Sequence, residues 1–207
     1  MSVPIFRLKR LESEVAVIPT NADLISSFPS VARDHAQWAV RALPDSPHPF
    51  QTFSVRVSGE HISIPQRVYH DPLGISVGFR LGFRSKLSRE LLDCIFTRHA
   101  DGFVRQKYLG RIIHSSNIWV PPFVLLLAGE YVIEILRDIE GALPQLDRDV
   151  YDDFVRNNPQ FLQKTKQRIA SYWDCYYRSV SAETYPGFRI LCWIEELTKR
   201  PGLRRTP

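Results

Sequence analysis

The sequence predicts a mainly α, compact helical domain with a small N-terminal β-hairpin element. Three observations carry this reading. From Ser85 onward apolar residues recur at helical spacing, between clear start and stop signals. Before that point two short runs alternate apolar and polar residues around Ser58-Gly59-Glu60. Of 207 residues, 44 % are hydrophobic and 24 % charged, which is a globular balance and excludes global disorder.

Residues 1–84 form the N-terminal segment, expected to pack on the body; residues 85–200 form the helical core; residues 201–207 form a tail. Val15–Pro19 reads as a short strand. Asn21 or Asp23 caps a helical turn near Leu24. Pro29-Ser30 then gives a helix over Val31–Leu43 a clean start, with Val31, Ala39 and Leu43 on one face. Phe53, Val55 and Val57 alternate with Ser54 and Arg56, and Ile62 and Ile64 with His61 and Ser63; this is a hairpin. Gly74, Gly78 and Gly82 mark an irregular connection.

In the body, Ser85 or Ser88 caps a helix over about 87–99, with Leu87, Leu91, Ile95 and Leu92 or Phe96 inward. A second helix spans Phe103–Ile113. Pro121 and Pro122 suit the first turn of a third, which runs to about Leu143 with a bend at Gly129 and is buried at its apolar start. Asp147–Val155 is a short acidic helix. Asn158 as cap and Pro159 at the first helical position open the longest helix, about 160–180, with Leu162, Ile169, Tyr172 or Trp173, Tyr176 and Val180 inward. Phe188–Leu197 closes the fold.

Asp101-Gly-Phe-Val104-Arg105, followed by Lys107-Tyr-Leu109-Gly-Arg-Ile112, resembles the middle of a HEAT repeat, over about residues 87–113. The resemblance implies a helix pair, structural roles for Asp101 and Arg105, and a helical surface that binds a partner. Tyr108 departs from it, since that family has a small residue there, and no second copy follows at a fixed period.

The formal charge is +5, but it is uneven: residues 1–50 sum to 0, 51–100 to +3, 101–150 to −2 and 151–207 to +4. Two positive blocks flank an acidic one. This suits weak attraction to an anionic partner and falls short of the dense clustering of a dedicated nucleic-acid binder. Cys94, Cys175 and Cys192 lack zinc or thioredoxin spacing and read as three buried thiols in a reducing compartment. No secretory apolar region follows the first ten residues. Ile118–Leu136 is the greasiest stretch, yet Glu130 and Glu134 argue against a membrane span. The cytoplasm is the default location.

No motif names a reaction. The six histidines show no zinc spacing, there is no Gly-x-Ser-x-Gly elbow, and Gly74, Gly78 and Gly82 form no phosphate cradle. No catalytic residue, metal ligand or cofactor is therefore assigned. Glu130 and Glu134, four apart on one helix, form a carboxylate pair extended by Asp138. They are candidates for metal binding, acid–base work or ligand contacts, or for structural pairing with Arg98, Arg105 or Arg111. Ser171–Arg178 holds four aromatics, with Trp173, Tyr177 and Arg178 candidates for a ligand or partner surface; core packing is the competing reading. The expected function is a binding or scaffolding domain for a protein partner or a second copy of the chain. One alternative is nucleic-acid binding through Arg98, Arg105, Lys107 and Arg111 joined by Lys164, Lys166 and Arg168. The other is an enzyme of unfamiliar type using Glu130 and Glu134.

Overall fold

The computed structural model describes residues 21–44, 48, 50–70 and 85–199. The expected strand at Val15–Pro19, the glycine-marked connection and the tail at 201–207 lie outside them. The described chain is mainly helical with one two-stranded hairpin. Buried side chains from Leu24 to Leu197 form one continuous core, to which the hairpin contributes Val55, Val57, Ile62 and Ile64.

A 3₁₀ helix over Asn21–Ser27 and a short one over Ser30–Ala32 lead into α1, Arg33–Arg41. Ala36, Ala39 and Val40 are buried there, whereas Val31 is exposed, against expectation; the 3₁₀ entry rotates it off the α1 face. Strands β1, Thr52–Val57, and β2, Glu60–Pro65, pair antiparallel with Val57 opposite Glu60. Ser58 and Gly59 both take positive φ, 50° and 82°. That is the two-residue turn whose twist matches the strands.

Helix α2, Lys86–Phe96, is capped by Ser85, whose hydroxyl accepts from the Ser88 amide. Helix α3, Gly102–Ile112, is capped by Asp101, which accepts from the Phe103 amide at 2.8 Å. The segment after β2 is stitched to the α2–α3 turn. The Val68 amide donates to the Arg98 carbonyl, and the Ala100 amide donates to Val68, both at 2.9 Å.

The expected long third helix is two helices. Helix α4, Val120–Ala128, is buried at all nine positions; α5, Ile133–Ala142, follows after a break. A helix apolar all round must be covered on every side. Continuing it would carry Tyr131 and Glu134, both exposed, into that interior. At the break, Gly129 and Glu130 close with tight i−3 hydrogen bonds to Leu126 and Leu127.

Helix α6, Arg148–Asn157, is capped by Asp147. Helix α7, Pro159–Tyr176, starts at Pro159 as expected, but Asn158 does not cap it. Its side chain is engaged elsewhere, as described below. Only Thr165 and Ile169 of α7 are buried, and Tyr176 is 65 % exposed, so α7 is peripheral and not central. Helix α8, Pro186–Lys199, buries Ile190, Leu191, Trp193, Ile194 and Leu197 and completes the core. Cys94 is buried, but Cys175 and Cys192 are exposed, which corrects the expectation of three buried thiols. No described helix is long and apolar enough to cross a membrane.

Candidate functional site

The break between α4 and α5 places Glu130, 1 % exposed, among three guanidinium groups. Its Oε1 lies 3.0 Å from Arg67 Nη1 and 3.4 Å from Arg98 Nη1; its Oε2 lies 2.8 Å from Arg105 Nε. The last contact is an ion pair without the alignment of a hydrogen bond. Arg98 and Arg105 are each 2 % exposed. Backbone carbonyls accept from further nitrogens of both forks. Arg105 Nη1 donates to His99 and Ala100 at 2.9 and 2.7 Å. Arg98 donates to Pro65 at 3.3 Å and Gln66 at 2.8 Å. One carboxylate thus ties the α2–α3 turn, α3, the α4–α5 break and the chain after β2. Burial lowers Arg98 from the ordinary arginine value; Glu130 opposes this, and Arg67, Arg105 and Arg168 add to it. Arg98 remains a cation at neutral pH.

Beside this centre a cleft of about 470 Å³ opens between the hairpin and α7. Phe53 and Ser54 of β1 form one wall, and Gln160, Phe161, Lys164, Thr165 and Arg168 of α7 form the other. Gln66, Arg67, Arg98 and Leu126 line the rest. Gln160, Lys164 and Arg168 are four apart, so helical geometry places them in one row. The aromatic part is fixed by packing: Phe53 stacks on Phe161 at 6.3 Å, and Phe154 meets Phe161 edge-on at 5.2 Å. Among the described residues neither Lys164 nor Arg168 has a carboxylate within 4.0 Å. The cleft carries four cations, and the one carboxylate paired with them, Glu130, is already shared. It is electropositive, with an aromatic wall.

The other expected residues fall elsewhere. Glu134 lies exposed on α5 and does not share a helix face with Glu130, because the helix ends between them. Asp138 accepts from Gln106 at 2.8 Å. The expected carboxylate pair therefore does not exist. Arg111 pairs with Asp93 at 3.2 Å, not with Glu130, and lies 4.6 Å over the Tyr108 ring. The expected basic face is divided: Arg98 and Arg105 are buried, Lys107 and Arg111 sit by Tyr108, and Lys166 pairs with Glu195 at 2.6 Å. Only Arg98, Lys164 and Arg168 of that set meet, in the cleft.

The aromatic run is divided too. Trp173 donates to the Val180 carbonyl at 2.9 Å and meets Phe188 edge-on. The Tyr177 hydroxyl donates to the Tyr131 carbonyl at 2.6 Å, and its ring stacks on Tyr185. Burial and then Glu134 raise its pKa. Arg178 is exposed and paired with Asp174. These residues mostly tie the end of α7 to its neighbours. Among the described residues no three His, Cys, Asp or Glu side chains gather as a metal cluster.

Sequence reasoning missed Arg67, Phe53, Phe161 and the remaining wall of the cleft. The α7 wall alone had a signal, the four-residue spacing of Gln160, Lys164 and Arg168, which marks one face of that helix as polar and basic. Comparison of the chain with protein-family models, with curated proteins and with solved structures finds no match.

Proposed function

We propose that this chain is a binding module that engages an acidic segment of a protein partner in the cleft between its hairpin and α7. The observation that carries this reading is uncompensated charge. Arg67, Arg98, Lys164 and Arg168 line one concave site, and Glu130 is the single anion paired among them in the described residues. Partly enclosed walls strengthen the attraction between such a site and an anion. The aromatic wall favours a partner with apolar groups between its charges. A protein segment supplies both, and a regular phosphate backbone would leave the Phe53–Phe161 wall without a matching group unless a base were turned out onto it.

The test is selection of random decapeptides displayed on phage against the folded chain, with counter-selection on the Lys164→Glu/Arg168→Glu variant. Both side chains are exposed, so the variant keeps the fold, checked by circular dichroism and urea unfolding. Acidic sequences whose affinity falls with salt and is lost in the variant support the reading. Recovery of no peptide, or of peptides indifferent to the variant, ends it. A labelled oligothymidylate that binds the chain while no peptide does would replace it with the nucleic-acid reading.

A further inference from the structure

The hairpin has two edges, and they are treated differently. The Gln66 amide donates to the Gln51 carbonyl at 2.7 Å, and Val57 faces Glu60 across the turn. Pairing therefore alternates so that residues 51, 53, 55 and 57 bond to β2, while Thr52, Ser54 and Arg56 turn their N–H and C=O groups outward. On the β2 edge the outward carbonyls of Ser63 and Pro65 are taken by the Ser27 hydroxyl and by Arg98. On the β1 edge one residue is covered. The Arg56 amide donates to Asn158 Oδ1 at 2.7 Å, and Asn158 Nδ2 donates back to the Arg56 carbonyl at 2.7 Å. That reciprocal pair is what a residue of a neighbouring strand would make. Asn158 is held in place by a third bond, from Nδ2 to the Phe154 carbonyl at 2.8 Å.

Beyond Asn158 no described residue bonds to the edge. Thr52 and Ser54 are exposed, and among the described residues nothing bonds to their outward backbone groups. Ser54 opens into the cleft. An uncovered strand edge is a template for another strand, and proteins usually blunt it. Here the flanking structure instead offers it a channel. Helix α7 runs beside β1 in the opposite sense: Asn158 meets Arg56, Phe161 meets Phe53, and Arg168 shares the cleft with Gln66 and Arg67, past the Thr52 end. The spacings agree. Lys164 and Arg168 are one helical turn apart, about 6 Å, and alternate side chains of a strand are about 6.7 Å apart.

We propose that the partner's acidic segment adds to the free edge of β1 as a third strand, hydrogen-bonded to Thr52 and Ser54, with alternate acidic side chains facing Lys164 and Arg168. The inference rests on the reading of the cleft as a site for an acidic protein segment. Backbone bonds to β1 supply sequence-independent affinity, and the row on α7 supplies the preference for acids at every second position. Asn158 sets the register, because the added strand must stop where its amide already occupies Arg56.

The experiment uses the acidic decapeptide recovered by selection and the full chain. Amide hydrogen exchange of Thr52 and Ser54 is followed by NMR with and without peptide. The peptide is then remade with single N-methyl groups along its backbone. Strand addition predicts protection of both amides and a period of two in the scan: methylation at positions whose N–H faces β1 weakens binding roughly tenfold, and methylation between them has little effect. Ser54→Pro, which removes an outward N–H that β2 does not use, should weaken binding similarly. If that variant unfolds, the scan still decides. Binding that depends on Lys164 and Arg168, but leaves both amides exchanging freely and shows no period of two, overturns strand addition and leaves the cleft reading standing. Absence of any cleft-dependent peptide overturns both.

Discussion

Replacing Glu130 by alanine removes the anion from a centre that holds two buried guanidinium groups. Arg98 and Arg105 are each 2 % exposed, so neither reaches water when its carboxylate is gone. Breaking a buried pair from one side costs about 3–5 kcal/mol, since it leaves an uncompensated charge. Two buried partners are stranded at once, which argues for the upper part of that range. The backbone carbonyls of Pro65, Gln66, His99 and Ala100 still accept from the two forks and keep the loss from doubling. For a domain of this size the expected cost lowers Tm by about 6–20 °C. It is a large share of a typical stability of about 5–15 kcal/mol. Urea unfolding of Glu130→Ala, Arg105→Met and the double variant measures the effect. The double variant should be less destabilised than the two single losses added together, because it removes one stranded cation along with the anion. A cost below about 1 kcal/mol for Glu130→Ala, or strict additivity with Arg105→Met, refutes the account of the centre.

Two further predictions concern stability. Burial raises the Asp93 carboxyl from its usual 3.8 to about 6, against the opposing pull of Arg111. The native state then holds a proton that the unfolded state has lost, so this group's contribution falls as pH rises from about 4 to about 6, by about 2 kcal/mol. Asp93→Asn removes the dependence, and its stability relative to the parent should improve by that amount between pH 4 and pH 7; a flat or opposite difference refutes the assignment. At Gly187 an added Cβ would lie 2.5 Å from the Tyr185 ring and 2.8 Å from Ile169. Gly187→Ala should therefore cost about 1–3 kcal/mol despite the better helix propensity of alanine, and a stabilised variant in thermal unfolding would contradict that packing.

Local chemistry made much of the fold legible. The hairpin follows from alternation around Ser58-Gly59, and the starts of α2 and α7 follow from Ser85 and Pro159. Errors arose where tertiary demand overrode local pattern. Periodicity continues across residues 129–132, so the sequence reads as one helix; the break reflects the need to bring Glu130 to three arginines from other elements. Asn158 is a sound cap by residue type, yet its amide is worth more against the Arg56 backbone, 102 positions away. Tyr176 reads as inward because residue type is visible in sequence and location within the fold is not; Trp173, by contrast, does pack against the core.

The cleft was illegible for a related reason. Its walls come from β1, the chain after β2, the turn after α2, α4 and α7, which the sequence spreads from residue 53 to residue 168. What the sequence did contain was an imbalance: a positive block on either side of an acidic one. The structure converts part of that imbalance into a site. Arg98 must be buried to tie Pro65 and Gln66 to the α2–α3 turn, and Glu130 is there to neutralise it. But Glu130 is shared with Arg67 and Arg105, so the centre keeps excess positive charge, and Arg67 and Arg98 also line the cleft where Lys164 and Arg168 add to it. The group that holds the hairpin to the helices is therefore the same group that sets the potential of the cleft. A substitution at Glu130 cannot change one without the other, whereas Lys164 and Arg168, exposed on α7, change the potential alone.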